Sequence, residues 1–184
     1  AAVRSKEGTV ASDTAEITTA KDPAIDLGQG ANTYIVSKAG TYSFTPEKVD
    51  GTPIDGIASA NWIWATKADE NDKEQKLLDN VAYAGGKIRF TTTGERGNAV
   101  IAAFDATGKS IWVWLIWCTE QPEEMEYENG GVFLDRFLGA TAAELTDGEA
   151  TWGNILYQWG RNVPIYAGYD DEWGEEEVFN EARK

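Results

Sequence analysis

The chain has 184 residues, of which 42% are hydrophobic and 11% aromatic, and this composition indicates a packed globular protein. Its formal net charge is -15, which disfavours binding to nucleic acid or to an anionic membrane surface. There is no histidine and only one cysteine, so Ser-His-Asp and Cys-His catalysis and an internal disulfide are excluded.

The N-terminal residues 1–20 are small and polar, and we expect them to form a flexible segment. Between residues 21 and 120, short apolar stretches alternate with turn residues, and no amphipathic helix separates them. Strands are predicted for NTYIVS, TYSFTP, ANWIWAT, KLLDNVAYA, KIRFTTT, NAVIAAFD and SIWVWLIWC. This spacing predicts an all-β protein whose residues 21–120 form an immunoglobulin-like β-sandwich.

The stretch IWVWLIWC, residues 111–118, is the most apolar part of the chain. It is far shorter than the roughly 18 residues that a membrane span needs, so no transmembrane helix is predicted. Alternate residues of a strand point to opposite faces, and here both faces are apolar. We interpret it as a core strand whose second face is covered by the C-terminal segment. An exposed platform for sugars is the alternative, and Cys118 is expected to be a buried small hydrophobe.

Residues 121–184 are predicted to form an acidic, aromatic-rich C-terminal element, mainly irregular or helical. From residue 119 onward there are 16 acidic and 4 basic residues. An exposed connection over residues 119–131 precedes a short strand in VFLDRFLG, and short helices are predicted in TAAELT, WGNILYQWGR and residues 170–184. In the second helix Trp152, Leu156 and Trp159 would share the face that packs on the sheets. The element either packs on the sandwich or begins a truncated second domain.

Aromatic residues near the C-terminus are the candidate ligand-binding residues. Tyr166, Tyr169 and Trp173 lie beside glycines and acids, and exposed rings of this kind stack on sugars or anchor protein interfaces. Arg136 and Arg161 stand in an acidic environment, where each is expected to pair with a carboxylate such as Asp135.

A cluster of carboxylates adjoins these aromatic residues. Asp170, Asp171 and Glu172 are the candidate metal ligands, and calcium is the hard cation that such oxygens would hold. The alternative, which we favour, is the solvated start of an acidic helix, so no cofactor is expected. Paired carboxylates are also the catalytic groups of glycoside hydrolases. A chain with thirty-one acidic residues contains such pairs by chance, so no catalytic residues are predicted.

Two stretches resemble a known group of bacterial surface proteins. GQGANTYIVSKAGTYSF followed by GKIRFTTTGERGNAVIAAFDATGKSIWVWLIWCTE resembles a module of large Bacteroides-type surface proteins. GGVFLDRFLGAT and LYQWGRNVPI resemble the start of the major paralogous domain of fimbrillin-like proteins and pilus-tip subunits. The motif residues are Asp135, Arg136, Trp159 and Arg161. The chain departs from the usual pattern at Leu134, Phe137, Asn162 and Val163.

The resemblance implies an exported protein at the cell surface or outer membrane, anchored by lipid and working in adhesion or in assembly of a fimbria-like structure. Its partners would then be other surface or fimbrial subunits. A module that binds host or dietary glycans for uptake is the second hypothesis, and a carboxylate-based glycoside hydrolase is the third. The resemblance supplies no catalytic residues.

Overall fold

The protein is described by a computed structural model over residues 24–66, 77–144, 153 and 155–166. Throughout these residues the chain is all-β, and no helix occurs among them. The predicted flexible segment, residues 1–20, lies outside the described part of the chain. The prediction of an all-β protein is therefore confirmed for the residues that the structure describes.

The strands are short and are separated by turns, as the sequence pattern predicts. In chain order they are β1 Ile25–Gln29, β2 Thr33–Val36, β3 Gly40–Thr45, β4 Ser59–Ala65, β5 Leu78–Ala84, β6 Lys87–Thr92, β7 Gly97–Phe104, β8 Ser110–Cys118, β9 Glu124–Glu126, β10 Val132–Leu134, β11 Ile155–Tyr157 and β12 Pro164–Tyr166. Strands β2 to β8 follow the predicted stretches closely. Gly85 and Gly86 both have positive φ, which is what a two-residue hairpin turn between β5 and β6 requires.

Two four-stranded sheets contain eight of the twelve described strands. The first has the order β1-β3-β6-β5 and the second has the order β2-β8-β7-β4. Neighbouring strands are antiparallel except in two pairs, because β1 runs parallel to β3 and β2 runs parallel to the second half of β8. Two-stranded hairpins formed by β9 with β10 and by β11 with β12 complete the described structure.

The two four-stranded sheets share one hydrophobic core. The ring of Phe44 on β3 lies 4.4 Å from that of Tyr34 on β2 and 5.1 Å from that of Trp114 on β8, measured between centroids, so aromatic contacts join the sheets. Phe44 and Trp114 have no exposed surface. Burying a side chain of this size stabilises a fold by about 1.5–3 kcal/mol, and the strands contribute many such side chains.

Strand β8 is buried on both faces, which confirms its interpretation as a core strand. Trp114 and Ile116 point into the core between the sheets. Val113 and Leu115 point the other way, into a second apolar cluster that includes Ile155 of β11. The expectation that the C-terminal segment covers this second face is confirmed, and the alternative of an exposed sugar platform is wrong.

The helix predicted over residues 152–161 is wrong, because Ile155–Tyr157 forms strand β11 and pairs with β12 in an antiparallel hairpin. Ile155 is 6% exposed and faces the second cluster, whereas its neighbour Leu156 is 57% exposed. In a strand every second side chain points to the same face, so packing on the flat outer face of the second sheet favours a strand over a helix here. In TAAELT the described residues 141–144 contain bends and no helix, and the helix predicted over residues 170–184 lies outside the described chain.

Candidate functional site

The connection that follows β8 forms a hairpin of its own. In this hairpin β9 runs antiparallel to β10, with Phe133 opposite Met125. The ladder continues beyond the strands, since the Tyr127 N–H donates to the Gly131 carbonyl at 2.8 Å and the Asp135 N–H to the Glu123 carbonyl at 2.9 Å. The sequence predicted an exposed connection and a short strand here. It did not predict that the acidic stretch Glu124–Glu126 is the partner strand.

The hairpin exposes its apolar side chains to solvent. Phe133 is 61% exposed and Phe137 is 72% exposed, and the exposed set also includes Met125, Tyr127, Val132 and Leu134. The Phe133 ring packs edge-on against Tyr127 at a centroid distance of 5.3 Å. Because side chains alternate along a strand, Met125, Tyr127 and Phe133 lie on one face of the hairpin and Val132 and Leu134 on the other. Soluble proteins rarely expose apolar side chains on both faces of a hairpin unless another molecule covers them. We call this group of six side chains the hairpin patch.

A groove of about 560 Å³ runs beside β10 and continues the hairpin patch. Its lining is mostly apolar and consists of Val132, Phe133, Leu134, Asp135, Arg136, Phe137, Leu138, Ala142 and Ala143. Apolar grooves with a few polar groups are typical of binding sites. The groove is therefore the candidate functional site among the described residues.

The charged residues of the groove are paired with each other. Arg136 donates from Nε to Asp135 Oδ1 at 2.8 Å and from Nη2 to Asp135 Oδ2 at 2.9 Å, and its Nη1 donates to Thr119 Oγ1. The hydrogen bonds from Arg136 hold the pKa of Asp135 below its ordinary value. The predicted pairing of Arg136 with Asp135 is thus confirmed. Through the bond to Thr119, the pair ties the groove to the end of β8.

The segment after the groove is fixed to the second sheet by buried hydrogen bonds. The Trp117 indole Nε1 donates to the Ala140 carbonyl at 2.9 Å, and Asn98 Nδ2 donates to the Gly139 carbonyl at 2.8 Å. Gly153 has a φ of +71°, and a Cβ there would collide with the backbone of Leu138 and Ala140. These contacts give the groove a rigid base.

Carboxylates line the hairpin beside its apolar residues. Glu124 lies opposite Leu134 and Glu126 lies opposite Val132, so each acid shares a face with an apolar side chain. Glu120 is paired with Arg96. No described cation pairs with any of the other acids of the hairpin, which are Glu123, Glu124, Glu126 and Glu128. The hairpin patch therefore has an acidic rim.

A second exposed apolar group lies at the hairpin of β11 and β12. Trp159 sits in its turn, where the Arg161 N–H donates to the Gln158 carbonyl at 2.9 Å, and its side chain is 101% exposed. Leu156 and Ile165 pair across the strands and are also exposed. The expectation that Trp159 packs on the sheets is wrong, because the turn carries it away from the second cluster.

The other predicted site residues are mostly beyond the described structure. Tyr169 and Trp173, the candidate ligand-binding residues, and Asp170, Asp171 and Glu172, the candidate metal ligands, all lie outside it. Tyr166 is placed by its backbone, which pairs with Ile155. Arg161 is exposed, and no carboxylate among the described residues forms an ion pair with it. In residues 24–66, 77–144 and 153–166, apart from 154, no cluster of metal-ligating side chains occurs.

The hairpin patch was missed because apolar stretches are expected to be buried. A signal was nevertheless present in the sequence. EMEY alternates acidic residues with Met125 and Tyr127, and an acidic strand of this kind cannot pack both faces inside a core. An apolar strand that pairs with it, here Val132–Leu134, is then exposed as well.

No family model, curated protein or solved structure matches this chain. Across the described residues, the structure contains no helix of the length and apolarity needed to cross a bilayer.

Proposed function

We propose that the chain is a non-enzymatic binding module of a bacterial cell surface that works in adhesion or in assembly of a fimbria-like structure. In this proposal the two four-stranded sheets form an immunoglobulin-like sandwich that presents the hairpin patch to other surface subunits. The protein is exported and lipid-anchored, it needs no cofactor, and its division near residue 120 separates the sandwich from the C-terminal element.

The order of the strands supports the immunoglobulin-like part of the proposal. If β1 and β2 are taken together as the first strand, the first sheet has the order A-B-E-D and the second contains C, F and G as neighbours. This is the arrangement of an immunoglobulin-type sandwich. One feature departs from it, since β1 runs parallel to β3 whereas the corresponding strands of that fold are antiparallel.

The exposed hairpin patch is the observation that carries the functional proposal. A two-stranded hairpin is marginally stable in water by itself. Here every residue of both strands is exposed, so the hairpin gains little from burial in its own chain. A surface of this kind is explained when a partner covers it. Aromatic anchors such as Phe133 and Tyr127 are typical of protein interfaces.

The charges in the groove support binding over catalysis. A general acid or base needs a pKa near the working pH and a free path to the substrate. Asp135 has its pKa lowered, and both of its oxygens accept hydrogen bonds from Arg136. Among the described residues that line the groove, Asp135 and Arg136 are the titrating ones. The two side chains are hydrogen-bonded to each other, which leaves neither available for proton transfer.

Labelling of intact cells tests the cellular part of the proposal. An antibody against the purified chain should stain intact cells of the organism that produces it, and surface proteolysis should remove the stain. Sedimentation velocity of the full-length protein tests polymerisation of the chain itself, for which concentration-dependent oligomers formed through a surface other than the hairpin patch are expected. Staining that requires permeabilised cells would contradict the surface location, and a monomer at every concentration would contradict polymerisation.

Binding of glycans is the second candidate function, and the fully exposed Trp159 favours it. An indole ring standing free in a turn is suited to stacking on a sugar ring. In a glycan-array screen, selective binding that is lost in Trp159→Ala and kept in Phe133→Ala would support this function. A blank array would leave adhesion or assembly through protein contacts as the account.

A calcium requirement is tested by thermal unfolding. Because no cofactor is proposed, the melting temperature should be the same with excess calcium and with a chelator. An increase with calcium that is lost in an Asp170→Asn/Asp171→Asn variant would show that the carboxylate cluster binds the ion.

A further inference from the structure

We infer that the outer edge of β10 binds an extended strand of a partner protein in which apolar and basic residues alternate. This inference rests on the proposed binding function and names the chemistry of the partner. It is carried by three properties of the hairpin: an open backbone edge, the apolar groove beside it and the acidic rim.

Among the described residues, no strand pairs with the outer backbone edge of β10. In an antiparallel ladder, alternate residues direct their N–H and C=O groups toward the partner strand and away from it. Gly131 and Asp135 bond to β9, so Phe133 also faces β9, while Val132 and Leu134 direct their backbone groups outward. Outside the hairpin, no backbone hydrogen bond joins Val132 or Leu134 to a described residue. A strand added at this edge would satisfy these groups, as in other cases of strand addition.

The groove lies along the same edge of β10 and determines which positions of the partner strand must be apolar. Val132, Phe133 and Leu134 line it together with Phe137 and Leu138. Because successive side chains point to opposite faces of a sheet, an added strand would place one set of alternate side chains beside Phe133 and the other set beside Val132 and Leu134. The first set meets the apolar face of the hairpin. Apolar residues at every second position of the partner would therefore be buried on binding.

The acidic rim determines which positions of the partner strand must be basic. Glu124 and Glu126 lie across the hairpin from Leu134 and Val132, and neither pairs with a described cation. Lysine or arginine side chains on the added strand would extend across β10 toward these acids, with their aliphatic stems covering Val132 and Leu134 on the same face. A second copy of this chain fits less well, since its net charge of -15 would bring like charges together.

A synthetic peptide provides the direct test. The probe is a fluorescently labelled peptide of about ten residues with alternating lysine and valine, close to the upper length of natural strands. Its binding to the full-length protein is measured by fluorescence anisotropy. Control peptides have the same composition in two blocks, glutamate in place of lysine, or N-methyl groups on alternate residues. We expect the alternating lysine–valine peptide to bind and each control peptide to bind at least about tenfold more weakly.

Protein variants separate backbone pairing from charge. Leu134→Pro removes an outward N–H group and should abolish binding, whereas Leu134→Ala retains that group and should weaken binding only modestly. Glu124→Lys/Glu126→Lys should also abolish binding, and its backbone is unchanged. Asp55→Lys, at an exposed site outside the hairpin, should bind like the unmodified protein. Circular dichroism and thermal unfolding establish that each variant is folded.

Three results would overturn the inference. Equal binding of the N-methylated peptide would show that only charge attracts the probe. No binding by the unmodified protein would show that the edge accepts no such strand. Oligomers in sedimentation that disappear in Leu134→Pro would assign the edge to a second copy of the chain. The first two results would leave surface location, tested by cell labelling, unaffected.

Discussion

At the scale of single residues, Cys118 reports on the core. Its side chain is 2% exposed, and burial raises the pKa of the thiol from its ordinary 9.0 to about 12. The thiolate is the reactive form, so a disulfide-exchange reagent at mildly alkaline pH should react with the unfolded chain and hardly at all with the native protein. Stoichiometric labelling of the native protein would contradict a closed core.

The same thiol makes stability depend on alkaline pH. The pKa is higher in the folded than in the unfolded state, so the folded state holds its proton more strongly. The associated stabilisation is complete below pH 9.0 and is lost as the pH rises toward about 12. Urea unfolding should show this loss in the unmodified protein and a smaller loss in Cys118→Ala.

For the Asp135–Arg136 pair we predict the opposite dependence of folding stability on pH. Because hydrogen bonds from Arg136 lower the pKa of Asp135, the stabilisation is present above the ordinary value of 3.8 and is lost as the pH falls through the lowered value. Arg136→Met should therefore be less stable than the unmodified protein at neutral pH and nearly equal to it in strong acid. Arg161→Met is the matched control, because Arg161 is exposed and has no described ion-pair partner. A constant difference between Arg136→Met and the unmodified protein across the pH range would contradict the pairing.

At the scale of elements, the segment after the hairpin is held by a few buried hydrogen bonds. Asn98→Ala leaves the buried Gly139 carbonyl without its donor at 2.8 Å, which should lower the free energy of unfolding by about 1–3 kcal/mol. Hydrogen exchange at Ala140 should also become faster. Ser59→Ala, on the same sheet with an exposed side chain, should change neither quantity. Unchanged exchange in Asn98→Ala would mean that other contacts hold the segment.

The strands could be predicted where the spacing of apolar residues fits a strand and not a helix. IWVWLIWC has apolar residues at every position, which predicts burial of both faces whatever the neighbours are, and the structure agrees. WGNILYQWG is ambiguous, because Leu156 and Trp159 fit a helical stripe while Ile155 and Tyr157 fit a strand. Ile155 packs against Val113 and Leu115, and this packing favours the strand. Because these residues are remote in sequence, the local pattern alone does not show the contact.

The hairpin patch could not be predicted for a different reason. Local patterns show that Val132, Phe133 and Leu134 are apolar, and apolar strands are usually covered. Whether the rest of the chain supplies a cover depends on the whole arrangement of the sheets. Here the second sheet is covered by β11 and residues near Leu138, so β10 is left exposed beside Phe137.

At the scale of the whole molecule, charge and apolar surface are distributed unevenly. The chain has a net charge of -15, and carboxylates with no ion-pair partner among the described residues adjoin the hairpin patch. Such a surface repels other acidic chains and attracts basic ones from a distance, which favours selective association. We propose that the hairpin is where the chain contacts its partners at the cell surface.

Photocrosslinking on living cells tests this claim most directly. A benzophenone amino acid is placed at Phe133, in the hairpin, or at Val49, which is 70% exposed in the loop between β3 and β4. After illumination of intact cells, we predict a defined covalent adduct with another surface protein from position 133 and none from position 49. Adducts of equal yield from both positions, or no adduct from position 133, would contradict the claim.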